Sequence, residues 1–345
     1  MPTLQDVARL AGCSTATVSK VLSNTPYFSE DTREKVMGAV RELDYRPNLA
    51  GRALSRGKTH IVGVVFPYIY DIIFKDPLVL AIIEGIEDTL TRHGYNLLLS
   101  TPRIDNDGGD ELFMQLLRSG YMDGMIAIDS VPHSGLTTLA TQYKLPIVVL
   151  GYQDASYEVH CDDYLGGRMM MHHLLELGHR DIGFISIDKS KNTAVNERMR
   201  GIRSALSDAE LILENMPIVD GDYSTRSGAT AVHQMMTEFP HLTAIACLND
   251  RMAIGAIQQL QQLGYRVPQD ISVIGYDNLA ISEMTNPALT TVSQHAGQLG
   301  SESAKLLLDL LKHNEPSIAV IEPTLRVRAS CAPPRAVDFA PQGQS

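Results

Sequence analysis

Residues 3–22 read TLQDVARLAGCSTATVSKVL, and residues 28–36 continue with FSEDTREKV. Thr3 stands where a helix N-cap is wanted, with Asp6 three positions on to return the hydrogen bond. Leu4, Val7, Ala8 and Ala11 then recur at helical spacing. Gly12 breaks the pattern. Ser14 can cap a second helix from about Thr15 to Leu22, whose apolar face is Val18, Val21 and Leu22. Ser29 can cap a third, with Val36, Ala39, Val40 and Leu43 facing inward. Two helices joined by a turn of about three residues containing glycine have helix-turn-helix spacing. Spacing alone is also met by a small three-helix bundle with no nucleic-acid role.

Downstream, residues 46–58 (RPNLAGRALSRGK) are basic, bounded by Pro47 and Gly57, and too short to build a core; they read as a linker. From Ile61 the texture changes to apolar runs alternating with helical stretches, the signature of a parallel sheet covered on both faces. Strands are expected at 61–66, 96–100, 125–128 and 147–150, with helices at 78–93, 112–118 and 136–143. The pattern restarts with helices at 165–177, 199–207 and 253–263 and strands at 182–187, 244–248 and 271–274. Two units of similar size predict two doubly wound lobes, whose ligands bind beyond the carboxyl ends of the strands. Residues just after strands therefore matter most: 67–76, Asp129, 151–153, Asn249-Asp250 and Tyr276-Asp277.

The chain has 345 residues and a net charge of −11, which by itself speaks against a polyanionic partner. The distribution of that charge points the other way. Residues 1–60 hold nine basic against six acidic side chains, so the rest of the chain carries −14. A basic head on an acidic body assigns the polyanion to the head. No run approaches the roughly 18–20 apolar residues of a membrane span, and the first ten residues lack a signal peptide's apolar stretch, so a cytoplasmic protein with no membrane partner is expected. Cys13, Cys161, Cys247 and Cys331 lie far apart with no CxxC pair, which predicts free thiols rather than disulfides or a thiolate zinc site. There is no GxSxG elbow, phosphate-cradling glycine loop or HExxH. Asp162-Asp163 read as helix caps, and His172, His173 and His179 as a solvated helix end. Neither catalysis, nor a metal, nor a cofactor is expected.

TLQDVARLAGCSTATVSKVL with FSEDTREKV resembles the head of the lactose/galactose-repressor-type (LacI/GalR) bacterial regulators. Residues 46–54 are similar to that family's hinge helix. HLLELGHRDIGFIS (173–186), LNDRMAIGA (248–256) and VPQDISVIGYDN (267–278) resemble its effector-binding core. The resemblance covers about residues 3–330. It implies an all-α helix-turn-helix head (1–45), a hinge (46–59) and an α/β periplasmic-binding-protein-like core (60–330) of two doubly wound parallel-sheet lobes. One lobe would take about 60–160 and 291–317, the other about 161–290 and 318–330, with a disordered tail at 331–345.

The same resemblance implies residue roles. Thr15, Ala16 and Lys20 would face base edges. Ala16 suits a thymine methyl, Thr15 offers hydroxyl and methyl, and Lys20 can donate to guanine O6/N7. Thr17, Ser19 and the helix N-terminus would sit on phosphates. Asn48 and Leu54 fall in the hinge, Leu54 as a wedge into the minor groove at the operator centre. In the core, Arg198, Asn249 and Asp277 take effector-contacting positions, joined by Tyr68 and Asp76 from the 67–77 loop. An arginine fork opposite a carboxylate suits vicinal hydroxyls. The expected partners are therefore near-palindromic operator DNA, a sugar or sugar derivative as effector, and a second copy of the chain. A purine- or nucleoside-responsive regulator, and a periplasmic-type solute-binding protein, are the alternatives. For Asn249 and Asp277 the competing role is helix capping.

Overall fold

In a computed structural model the chain is described over residues 2–22, 28–45, 58–66, 73–102, 110–128, 135–152, 155–188, 192–312 and 315–335. It divides into two compact units, Met1–Thr59 and His60–Ser345. Asn48, Leu54 and Tyr68 lie outside the described residues.

The head holds α1 (Leu4–Leu10), α2 (Thr15–Leu22) and α3 (Glu30–Glu42). Each start is fixed by its own cap. Thr3 Oγ1 accepts from the Asp6 amide while Asp6 accepts from the Thr3 amide, closing a capping box. Ser14 Oγ accepts from the Thr17 amide, and Ser29 Oγ from that of Thr32. Gly12 turns the chain between α1 and α2 at φ +65°, where a side chain would be strained. Val7, Ala8, Val18, Val21, Val36 and Ala39 form the core.

The second unit runs β1 (Ile61–Val65), α4 (Pro77–Arg92), β2 (Asn96–Ser100), α5 (Glu111–Arg118), β3 (Gly124–Ile128), α6 (Leu136–Gln142), β4 (Ile147–Leu150) and β5 (Tyr157–Cys161). It continues with α7 (Asp163–Glu176), β6 (Ile182–Ile187), α8 (Thr193–Asp208), β7 (Ile218–Gly221), α9 (Thr225–Glu238), β8 (Ala244–Cys247), α10 (Asp250–Gln262), β9 (Ser272–Asp277) and β10 (Thr290–Ser293). Last come α11 (Ala296–Leu310), β11 (Ser317–Ile321) and β12 (Thr324–Arg326). The first sheet has the order β2-β1-β3-β4-β5-β11, parallel throughout. The second repeats it as β7-β6-β8-β9-β10-β12, with only β12 antiparallel. In the first lobe alternate residues serve opposite faces: Val62 and Val64 pack with α4 and α11, Val65 with α5 and α6. The second lobe closes over one larger core that includes Phe184, Ile245 and Ile274.

Three segments carry the chain between lobes, at 161–162, 294–295 and 322–323. They lie side by side: the Asp162 amide donates to Ile321 O, and Thr324 Oγ1 and His295 Nε2 share a hydrogen bond of 3.0 Å. These positions correct the expected lobe limits. Residues 290–293 pair with β9 and so belong to the second lobe, while 317–321 pair with β5 and belong to the first. The crossings fall a few residues later than expected because strand pairing, not hydropathy, fixes them. β5, β7, α9, β10, α11, β11 and β12 are not among the expected elements, and α8 begins at Thr193 rather than Met199. The expected tail also starts too early. His179, buried, shares a hydrogen bond with Ala332 O, and Arg335 pairs with Asp270.

Candidate functional site

On the head, the N-terminal half of α2 is presented outward while its other face is held. Thr15, Ala16 and Lys20 are exposed, Thr17 and Ser19 half-buried, and Val18 and Val21 buried in the bundle. Residues 15, 16, 19 and 20 share one helical face because 3.6 residues make a turn. That face offers a hydroxyl, a methyl and an ammonium beside a helix N-terminus with no acidic residue in its first turn. It is an arrangement able to meet phosphate and base edges.

In the core, the carboxyl ends of the second sheet gather the expected effector residues. Asp277 ends β9 at φ +116°, a conformation L-residues rarely adopt, and is only 6% exposed. Gln294, in a crossing segment, donates from Nε2 to Asp277 Oδ1 at 2.6 Å. Burial pushes the Asp277 carboxyl well above the usual carboxylate range; Arg198 opposes that rise, and Asp250 and Asp76 add to it. Asp76, Arg198 and Asp277 thus share one electrostatic neighbourhood.

Arg198 is not an open fork. Its Nε donates to Asp163 Oδ1 at 2.7 Å and its Nη1 to Leu248 O at 2.8 Å, and its guanidinium lies 3.8 Å from the Tyr276 ring centroid. Tyr276 Oη donates to the same Asp163 oxygen. Burial works against the Arg198 charge, but Asp163, Tyr276 and Asp277 outweigh it and hold the guanidinium protonated. Two of the three guanidinium nitrogens are therefore committed to the protein. Asp162 caps α7, as its position after a strand suggested, by accepting from the Leu165 amide; Asp163 is instead the buried partner of Arg198.

Asn249 takes the capping role. Its Oδ1 accepts from the Met252 amide and its Nδ2 donates to Tyr223 O. Next to it Asp250 is fully buried, accepting from Thr291 Oγ1 at 2.5 Å and from the Leu279 amide at 2.8 Å. Burial pushes its carboxyl up to about 7 despite those bonds. From the first lobe, Asp76 caps α4 through the Leu78 amide. Burial raises its carboxyl, and Arg251, at the start of α10, partly offsets the rise from 3.7 Å away. Sequence reasoning missed Asp163, Arg251 and Gln294. Arg251 was visible within LNDRMAIGA, but nothing local marked it as facing the other lobe.

The arrangement can hold a small polar ligand between carboxylates and guanidiniums. Among the described residues no group of His, Cys, Asp and Glu is placed to hold a metal ion. Nor is any helix there long and apolar enough to cross a membrane.

Comparison with known proteins adds the following. Residues 3–48 match the profile of bacterial regulatory proteins of the lacI family, and residues 171–331 that of a periplasmic binding protein-like domain. An HTH-type transcriptional repressor PurR from Pectobacterium atrosepticum is 34% identical over 96% of this chain and 97% of its own length. Among solved structures, the lac repressor dimer bound to operator and the anti-inducer ONPF superposes with a TM-score of 0.84 at 26% identity, covering 96% of this chain and 99% of that one. The transcriptional regulator CelR in complex with cellobiose gives a TM-score of 0.72 at 30% identity, covering 96% and 100%.

Proposed function

The chain belongs to the lacI family of bacterial regulatory proteins, and from that premise we propose that it is a sugar-responsive repressor acting as a homodimer on a near-palindromic operator. That it is a DNA-binding transcriptional regulator with an effector-binding core follows from the family itself. The finer reading is ours. Thr15, Ala16 and Lys20 read base edges from α2, while Thr17 and Ser19 set its register on phosphates. Leu54 engages the operator centre from the hinge, and Asn48 contacts the DNA. A two-fold dimer would place its recognition helices in successive major grooves, one helical turn apart.

The observation that carries the effector reading is the buried Asp277 carboxyl at a strand end, held by Gln294 and facing the charge of Arg198. A carboxylate in such a place is satisfied by ligand hydroxyls, which donate to it without adding charge. Asp76 supplies a second acceptor from the first lobe, and Tyr68, earlier in the chain, a ring. Arg198 contributes through its charge and its remaining nitrogen, and Asn249 by fixing the start of α10. The similarity to a regulator solved with cellobiose supports the sugar class. Sugar binding in the cleft would stabilise one lobe arrangement and change operator binding through differential affinity for the two states.

Two measurements test this. Selection of duplexes from a random pool by the purified chain should return a near-palindromic site, and failure to enrich any sequence would remove the operator reading. Thermal shift against mono- and disaccharides, nucleosides and purines should give a sugar hit that Asp277→Ala abolishes. A hit confined to purines would replace the sugar with a base.

A further inference from the structure

Arg251 is the second residue of α10, in the first turn of the helix, where the macrodipole disfavours a cation. Its side chain is only 17% exposed, and its Nη1 is buried with no hydrogen-bond partner among the described residues. Folded proteins rarely leave such a donor unpaired, so one that lies opposite a carboxylate of the other lobe asks what completes it. Asp76 Oδ2, on the first lobe, lies 3.7 Å away. That is beyond the 2.7–2.9 Å or so of a charge-assisted hydrogen bond. Asp76 Oδ1 is taken by the Leu78 amide, so among the described residues Oδ2 is the oxygen left for Arg251.

We propose that Arg251 and Asp76 form a clamp, reaching from opposite lobes onto one hydroxyl of the effector, and that Arg251 thereby determines specificity for a neutral sugar. The proposal rests on reading the cleft as a sugar site. A hydroxyl is the common group that can accept from Arg251 and donate to Asp76 at once. A carboxylate or fully ionised phosphate would satisfy Arg251 but brings no donor for Asp76 Oδ2. An ammonium group would satisfy the acids and meet Arg251. Two hydrogen bonds of about 2.8 Å converging on a tetrahedral oxygen span about 4.6 Å, so the gap widens by about 1 Å as the hydroxyl enters. The clamp therefore ties ligand entry to lobe spacing.

The test is isothermal titration of the full-length protein with cellobiose, ribose, glucose, galactose and xylose, then with monodeoxy analogues of the tightest binder. In the wild type, removal of one particular hydroxyl should cost about 10- to 100-fold in affinity, the usual weight of a hydrogen bond to a charged group. Arg251→Gln should weaken the parent sugar by a similar factor and leave the matching deoxy analogue unchanged, so that the discrimination collapses to near one. Asp76→Asn keeps a capping acceptor for Leu78 and should lose the same discrimination. Should Arg251→Gln fail to fold, judged by its thermal midpoint and operator binding without sugar, Arg251→Lys decides: it keeps the charge and should still lose most of the discrimination. Equal weakening of parent and deoxy sugars, or no weakening, overturns the clamp while leaving the sugar site intact. If the wild type binds a nucleobase and none of the sugars, both readings fall.

Discussion

Asp250 shows how one buried carboxyl shapes the stability of the second lobe. It accepts from Thr291 and Leu279, yet burial lifts its pKa to about 7. In the unfolded chain it titrates near the ordinary value of about 3.9. Between those two points the folded state holds the extra proton, so stability falls as pH rises from about 4 to 7 and then levels. Asp250→Asn removes that proton equilibrium. The stability of the variant relative to wild type should therefore increase as pH rises from 4 to 7, by an amount on the order of a few kcal/mol. Urea titrations at pH 5 and 8 measure it, and a gap independent of pH would refute it. Using the difference matters because His179, whose pKa burial lowers, pulls the opposite way: the unfolded chain takes up its proton first as pH falls. Arg198 makes the companion case. Arg198→Met would leave Asp163 charged and buried, a loss of about 3–5 kcal/mol in denaturant unfolding. The pair Arg198→Met with Asp163→Leu should cost less than the two single losses added.

At the scale of elements, what the sequence reveals and what it hides separate along local and long-range interactions. Helices α1 to α3 were readable because their caps lie within three residues of the groups they satisfy, and their apolar spacing survives unchanged in the core. The alternation of strands and helices was readable too. Their pairing was not, since β10 and β11 change sheets at positions fixed by partners far away in sequence. The site divides in the same way. Asp277 was visible as a residue just after a strand, but the Arg198–Asp163 and Gln294–Asp277 bonds join residues 35 and 17 apart. Glycine positions give the element-scale prediction. A Cβ on Gly201 of α8 would stand 2.0 Å from Tyr164 O of α7, and a backbone carbonyl cannot rotate away. Gly201→Ala should cost about 1–3 kcal/mol or more by overpacking. Gly38 in α3 meets nothing within 4 Å, and there alanine only removes backbone freedom from the unfolded chain. Gly38→Ala should slow hydrogen exchange in α3 about two- to fivefold, the equivalent of about 0.5–1 kcal/mol. Opposite signs from one substitution type would confirm that the helix crossing, and not glycine itself, carries the constraint.

For the whole molecule the question is how a cleft in an acidic body reports to a basic head. Linkage gives the answer a checkable form without a pathway between them: a sugar that weakens operator binding must itself be bound less tightly on operator, by the same factor. Couplings of this kind are typically about 5- to 150-fold. Asp277→Asn keeps the shape of the strand end but replaces the carboxyl that accepts from Gln294 with an amide. If that carboxylate is where the sugar distinguishes the two states, the variant should bind operator without sugar within about twofold of wild type. Addition of sugar should then change its affinity by less than about twofold, because a ligand without differential affinity shifts nothing. Fluorescence anisotropy of labelled operator, at one fixed salt concentration because phosphate contacts make affinity salt-dependent, measures one side of the square. Titration of sugar into the protein with and without operator measures the other. Lost operator affinity in Asp277→Asn without sugar would mean that Asp277 holds the DNA-competent form itself. A preserved sugar response would place the distinguishing contact elsewhere, with Asp76 and Arg251 the next pair to test.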